Sequence, residues 1–128
     1  MKINTPISCG ELVDKITILK IKKIKIIDED KLREINKELE YLNSFYLKLL
    51  KNNPQLSELF DNLYKINLDL WQIEDEIRIC EKNKSFDDNF INLARAVYQR
   101  NDARFKIKTE INELLGSDIK EQKSYEKY

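Results

Sequence analysis

Residues 55–83 read QLSELFDNLYKINLDLWQIEDEIRICEKN, and the spacing of their apolar side chains decides what kind of chain this is. Leu56, Leu59, Leu63, Ile66, Leu70, Ile73, Ile77 and Cys80 follow one another at alternating intervals of three and four. Such intervals return each side chain to one face of an α-helix, whereas a strand repeats its face every second residue. One long helix is predicted over 55–83.

The same alternation precedes it, in Leu32, Ile35, Leu39, Leu42, Tyr46 and Leu49. Asp28, Glu29 and Asp30 favour the positive end of that helix, and Asn52-Asn53-Pro54 ends it, so a second helix is predicted over 30–52. So short a turn between two long helices predicts that they lie antiparallel. Upstream, a helix over 8–27 starts at Ser8. Its hydroxyl can cap the backbone, Glu11 can reach back as a capping box, and Ile7 and Leu12 hold the staple positions. Leu12, Val13, Ile16, Leu19, Ile24 and Ile27, widened by Ile18 and Ile21, make an apolar arc that predicts cover on more than one side. A fourth helix, over 86–115, is capped by Ser85 or Asp87. It carries Phe90, Leu93, Val97, Ile107, Ile111 and Leu114, and closes at Gly116 in a left-handed conformation. The residues beyond predict a short extra helix or a loose polar tail. The expectation is an all-α, single-domain antiparallel bundle spanning 1–128.

Composition agrees and excludes several functions. Two glycines and two prolines among 128 residues are too few for a sandwich or barrel of tight turns. Lys plus Arg and Asp plus Glu are 23 each, leaving no net field for nucleic acid or an anionic membrane. No apolar run reaches the length of a membrane span, and Met1 to Ile7 lacks the core of a signal peptide. With two cysteines far apart, the expected compartment is the cytoplasm. Histidine is absent, which removes the Ser/His and Cys/His nucleophile pairs and every His-containing zinc site.

The informative residues are polar ones inside the apolar arcs, since an unpaired buried charge is seldom kept. On the third helix Asn67, Glu74 and Glu81 recur every seven residues beside Leu63, Leu70 and Ile77, with Arg78 and Trp71 alongside. On the fourth, Asn101, Arg104, Lys108 and Asn112 share the arc of Ala94, Val97 and Phe105. On the first, Asp14 lies between Ile18 and Ile21, and Thr17 between Ile21 and Ile24. Two readings compete. The charges form an internal ion-pair network or snorkel to water, or they line a ligand pocket between helices, where bundles build their sites. Gly10 leaves the first helix's amides open to a phosphate or carboxylate, with simple capping as the plainer role. Cys9 lacks a histidine to activate it, and Cys80 reads as core.

Four segments also resemble a known family. They are Ser8–Leu19 (SCGELVDKITIL), Leu70–Glu81 (LWQIEDEIRICE), Phe90–Asn112 (FINLARAVYQRNDARFKIKTEIN) and the closing Glu121-Gln122-Lys123-Ser124-Tyr125. Together they are similar to short bacterial and phage proteins filed as a domain of unknown function, with S-x-GELxDKITIL, W-x-IEDxIR and ARxVYxxNDxR motifs. Cys9 and Gln122 depart from that pattern. The resemblance implies that Glu11, Asp14, Lys15, Thr17, Trp71, Glu74, Asp75, Arg78, Arg95, Tyr98, Asn101, Asp102, Arg104, Lys108, Lys123 and Tyr125 are signature residues. It implies no established activity, and associates the relatives with surface polysaccharide and glycosyltransferase gene neighbourhoods.

The leading expectation is an inter-helix pocket for a small anionic ligand, a phosphosugar or nucleotide, with no cofactor. Lys15, Asn67, Trp71, Arg78, Tyr98, Asn101, Arg104 and Lys108 are its candidate ligand-binding residues, and Asp14, Glu74 and Glu81 the candidate acids and bases. A second expectation is a magnesium-dependent all-α nucleotide pyrophosphohydrolase, with Glu11, Asp14, Glu74 and Asp75 as metal ligands. A third is a homodimeric, coiled-coil-like interaction module without catalysis.

Overall fold

A computed structural model describes residues 1–128 as four helices without strands: α1 (Cys9–Lys25), α2 (Glu29–Asn52), α3 (Leu56–Lys82) and α4 (Asp88–Leu115). Their ends follow the predicted local chemistry. Ser8 Oγ accepts the Glu11 amide at 3.1 Å, Asp28 accepts that of Lys31 at 2.9 Å, and Asp87 accepts that of Phe90 at 3.2 Å. Gly116 closes α4 in the left-handed region, at φ 61°. Helix α3 lacks a side-chain cap and starts from a turn in which the Leu56 amide donates to the Asn53 carbonyl at 3.0 Å. No helix is long and apolar enough to cross a membrane.

The longest helices, α3 and α4, form an antiparallel hairpin, with Asp69 opposite Arg100 and Cys80 opposite Asn89. Helix α1 runs antiparallel to α4, Gly10 meeting Asn112 and Asp14 meeting Arg104. It packs against all three other helices, as its wide apolar arc requires. The turn between α2 and α3 brings Tyr46 against Phe60, their ring centroids 4.9 Å apart. These helices meet only sparsely, and the α2 seam of Ile35, Leu39 and Tyr46 is buried in one cluster with Val13, Ile16 and Leu19 of α1. A short turn fixes which helices are consecutive, while the apolar area on offer fixes which pack.

Leu56, Phe60 and Leu63 of α3 and Ile111 of α4 complete that main core. A satellite core of Ile73, Cys80 and Leu93 lies farther along the α3–α4 hairpin. The division follows from length. Helix α3, with 27 residues, spans about 40 Å, and α1, with 17, only about 25 Å. Helix α1 therefore stops before the hairpin does, and ends at Lys25. Ile24 and Ile27, counted above in its apolar arc, are 67% and 92% exposed. Ile7, the outer half of the expected staple, is also exposed.

The two glycines serve different needs. Gly116 has open space around it and is there for its positive φ. Gly10 is there for contact: a Cβ would lie 2.5 Å from the Lys108 carbonyl oxygen and 3.0 Å from Asn112 Oδ1. Gly10→Ala forces α1 away from the α4 backbone and is expected to destabilise by about 1–3 kcal/mol, despite alanine's better helix propensity. Urea unfolding of the variant against wild type measures this, and an unchanged midpoint would refute the close approach.

Candidate functional site

The first turn of α1 leaves amides without partners in its own helix, and the protein supplies them. Cys9 N–H donates to Ser117 Oγ at 3.1 Å, Gly10 N–H to Asn112 Oδ1 at 2.7 Å and Glu11 N–H to Ser8 Oγ. Capping, the plainer role, thus accounts for this turn, and none of these three amides is left open to an anion. The Glu11 side chain is turned outward from the expected capping box, and its carboxylate accepts from Lys108 Nζ at 2.7 Å.

One turn on, Asp14 is 1% exposed. Arg104 grips it as a fork, Nε to Oδ1 at 2.9 Å and Nη2 to Oδ2 at 2.5 Å. Asn67 Nδ2 donates to Asp14 Oδ1 and to Thr17 Oγ1, both at 2.8 Å. The Thr17 hydroxyl in turn donates to the Asp14 carbonyl at 2.7 Å. Lys108, its side chain 7% exposed, is 2.7 Å from Glu11, 2.8 Å from Glu121 and 3.9 Å from Asp14. Three helices and the C-terminal segment thus share one network of two cations and three carboxylates, formally −1.

The electrostatics follow from the contacts. The hydrogen bond to Asp14 raises the Arg104 guanidinium above its ordinary value, against an opposing effect of burial. Burial pulls the Lys108 ammonium down, but the hydrogen bonds to Glu11 and Glu121 and the charge of Asp14 leave it raised.

Beside this network, a groove of about 410 Å³ opens between α1, α3 and α4. Ile18 and Ile21 form one wall, Leu70 and Trp71 another, Asn67 and Arg104 lie along it, and Glu74, Asp75 and Arg78 complete the lining. Arg78 Nε donates to Glu74 at 3.2 Å, both side chains largely exposed. Asn101 Oδ1 accepts from Arg104 Nη1 at 3.4 Å.

Other predicted residues lie elsewhere. Lys15, expected to face α3 and α4, pairs instead with Glu38 of α2 at 2.9 Å. Glu81 is exposed and pairs with Lys84 beyond the reach of α1. Tyr98 stacks edge-on against Tyr128 in a wide hollow that also takes in Asp102, Phe105, Lys123 and Tyr125. Arg95 is exposed. The four candidate metal ligands are not gathered on one point. Glu11 and Asp14 are engaged by Lys108 and Arg104, Glu74 and Asp75 face the groove, and no group of three acidic or cysteine side chains is placed to hold a metal ion.

The residues after Gly116 form the polar tail expected, without an extra helix. They run back along α4, where Ser117 holds the Cys9 amide, Glu121 meets Lys108, Lys123 lies 5.1 Å over the Phe105 ring and Tyr128 Oη donates to Asp102 at 2.6 Å. Sequence reasoning missed Ser117 and Glu121, which carry no local periodicity. Glu121 stands in the sequence only as the first residue of the closing segment that resembles the family.

Fold and site define an all-α single-domain protein organised around a charged network buried between α1, α3, α4 and the C-terminal segment. The chain belongs to DUF6165, a family of unknown function, whose model matches residues 1–128. No curated protein and no solved structure matches it.

Two outcomes follow from the network. Asp14→Ala strands the Arg104 guanidinium and the Asn67 amide and is expected to destabilise by about 3–5 kcal/mol. The double variant with Arg104→Ala should cost clearly less than the sum of the single ones, and a thermodynamic cycle showing simple additivity would contradict the coupling. The raised Lys108 predicts a pH window. Its contribution is complete below its ordinary value of 10.5 and is lost as the pH rises through the higher folded value. The stability gap between wild type and Lys108→Met should therefore hold steady from neutral pH to about pH 9 and narrow above about 10.5, as followed by urea unfolding.

Proposed function

We propose that the protein binds a small ligand with one anionic group on a flat or hydroxyl-rich body, a phosphosugar or a nucleotide, in the groove between α1, α3 and α4. The observation that carries this reading is the state of Arg104. Of its five N–H hydrogens, Nε and one on Nη2 are spent on Asp14 and one on Nη1 goes to Asn101. Two N–H groups remain, on a side chain already held in place at the groove. They suit one anionic oxygen pair. Because Asp14 cancels the charge of Arg104, the groove supplies directed donors without a strong positive field.

The rest of the lining suits the body of such a ligand. Trp71 offers an indole surface for a base or sugar ring, and the carboxylates of Glu74 and Asp75 and the Asn67 carbonyl offer acceptors for hydroxyls. Arg78 is paired only with an exposed glutamate four residues before it, a contact worth about 0.3–0.5 kcal/mol, so it can turn to an anion at little cost.

A thermal-shift panel of hexose phosphates, nucleoside mono- and diphosphates and sugar nucleotides tests the proposal. At least one class is expected to raise the melting temperature. Trp71→Ala and Arg78→Ala, both outside the buried network, should each weaken that ligand about tenfold, or 1.4 kcal/mol, with the unliganded fold intact. A panel without a single stabiliser, or equal binding by wild type and both variants, would remove the groove as the site.

A further inference from the structure

Lys108 is deeply enclosed, yet one of its three acidic partners comes from the least secured part of the chain. Glu11 and Asp14 stand on α1 and are fixed by the fold. Glu121 arrives on irregular backbone beyond Gly116. Its Oε2 is buried 2.8 Å from Lys108 Nζ.

The segment around Glu121 has little else to hold it. Ile119, Tyr125 and Tyr128 are exposed, and the contacts of Lys123 with Phe105 and of Tyr128 with Asp102 lie at the surface. Ser117, buried against the Cys9 amide, is firmly anchored, and its hydroxyl donates to the Ile119 carbonyl at 2.6 Å. A segment with few buried apolar contacts opens at a small fraction of the global unfolding free energy. The residues beyond Ile119 are therefore the part that can move away while α1 to α4 stay in place.

We propose that Glu121 is an internal stand-in for a ligand's anionic group: Lys108 heads an anion subsite that the tail carboxylate fills in the free protein and that a phosphate takes by displacing it. The inference rests on the reading of the protein as a binder of small anionic ligands, and adds a second cation to it and a means of opening. The subsite adjoins the groove through Arg104, one turn before Lys108 on α4, and through Asp14, which touches both cations. With Glu121 withdrawn, Lys108 and Arg104 balance Glu11 and Asp14, and the positive end of α1 lies alongside. A phosphate offers several acceptor oxygens where the Glu121 carboxylate meets Lys108 through one.

Full-length wild type and Glu121→Gln, a change outside the apolar cores, are compared with inorganic phosphate as the probe at constant ionic strength. Calorimetry reads affinity, and amide hydrogen exchange reads residues 118–128. Phosphate is expected to speed exchange across 120–128 of wild type several-fold, and Glu121→Gln to bind phosphate at least fivefold more tightly. Phosphate that binds with unchanged tail exchange, or with equal affinity in both proteins, overturns the stand-in. So does an absence of phosphate binding to either protein. The groove is judged separately: ligand stabilisation that is lost in Trp71→Ala while the tail ignores phosphate leaves the groove standing and removes only the subsite.

Discussion

The arrangement depends on one buried carboxylate. Helix α1 is apolar around most of its circumference, so burial alone, which is non-directional, fixes that it is covered but not which way it is rotated. Asp14 removes the ambiguity. Placed against lipid-like side chains it would face a desolvation penalty of several kcal/mol. Only the rotation that brings it to Arg104 of α4 and Asn67 of α3 relieves that penalty. A buried pair of this kind adds little net stability over well-packed apolar residues, but it makes the wrong registers expensive. Gly10 then fixes distance where Asp14 fixes rotation. Without a side chain there, the α1 backbone comes close enough to α4 for the Gly10 amide to reach Asn112.

What could be read in the sequence is what is local. The helices, the caps at Ser8, Asp28 and Asp87, and the stop at Gly116 are decided within four or five residues, and each stands where its chemistry required. Asp14, Arg104, Lys108 and Asn67 were visible as polar breaks in apolar arcs, and the structure joins them. Lys15 failed although it is Asp14's neighbour. The next residue on a helix points about 100° away, which carries Lys15 to Glu38 of α2. Glu81 failed because the ladder through Asn67 and Glu74 is regular in sequence while its cover is not: α1 reaches Asn67 and stops short of Glu81. Ser117 lies 108 residues from Cys9 and Asn112 lies 102 from Gly10, separations that no periodicity spans.

The same difference in length between α1 and α3 produces the groove. Where α1 covers the hairpin, polar residues are shared out in a closed network. Near its end, Trp71, Glu74 and Arg78 of α3 have no helix laid fully across them, and Ile18 and Ile21 supply a side wall instead of a roof. The cleft is thus a consequence of chain geometry, with walls on regular helices whose backbones are already fixed. Arg104 lies on the boundary, one edge bound into the network and the other free toward the cleft. An arginine that first orders on binding loses about 0.5–1.5 kcal/mol in side-chain freedom. Here Asp14 has already imposed that ordering as part of folding, so the ligand proposed for the groove would meet a donor pair in place. The interaction that sets the rotation of α1 is therefore also the one that holds Arg104 at the groove, and a change at Asp14 acts on both.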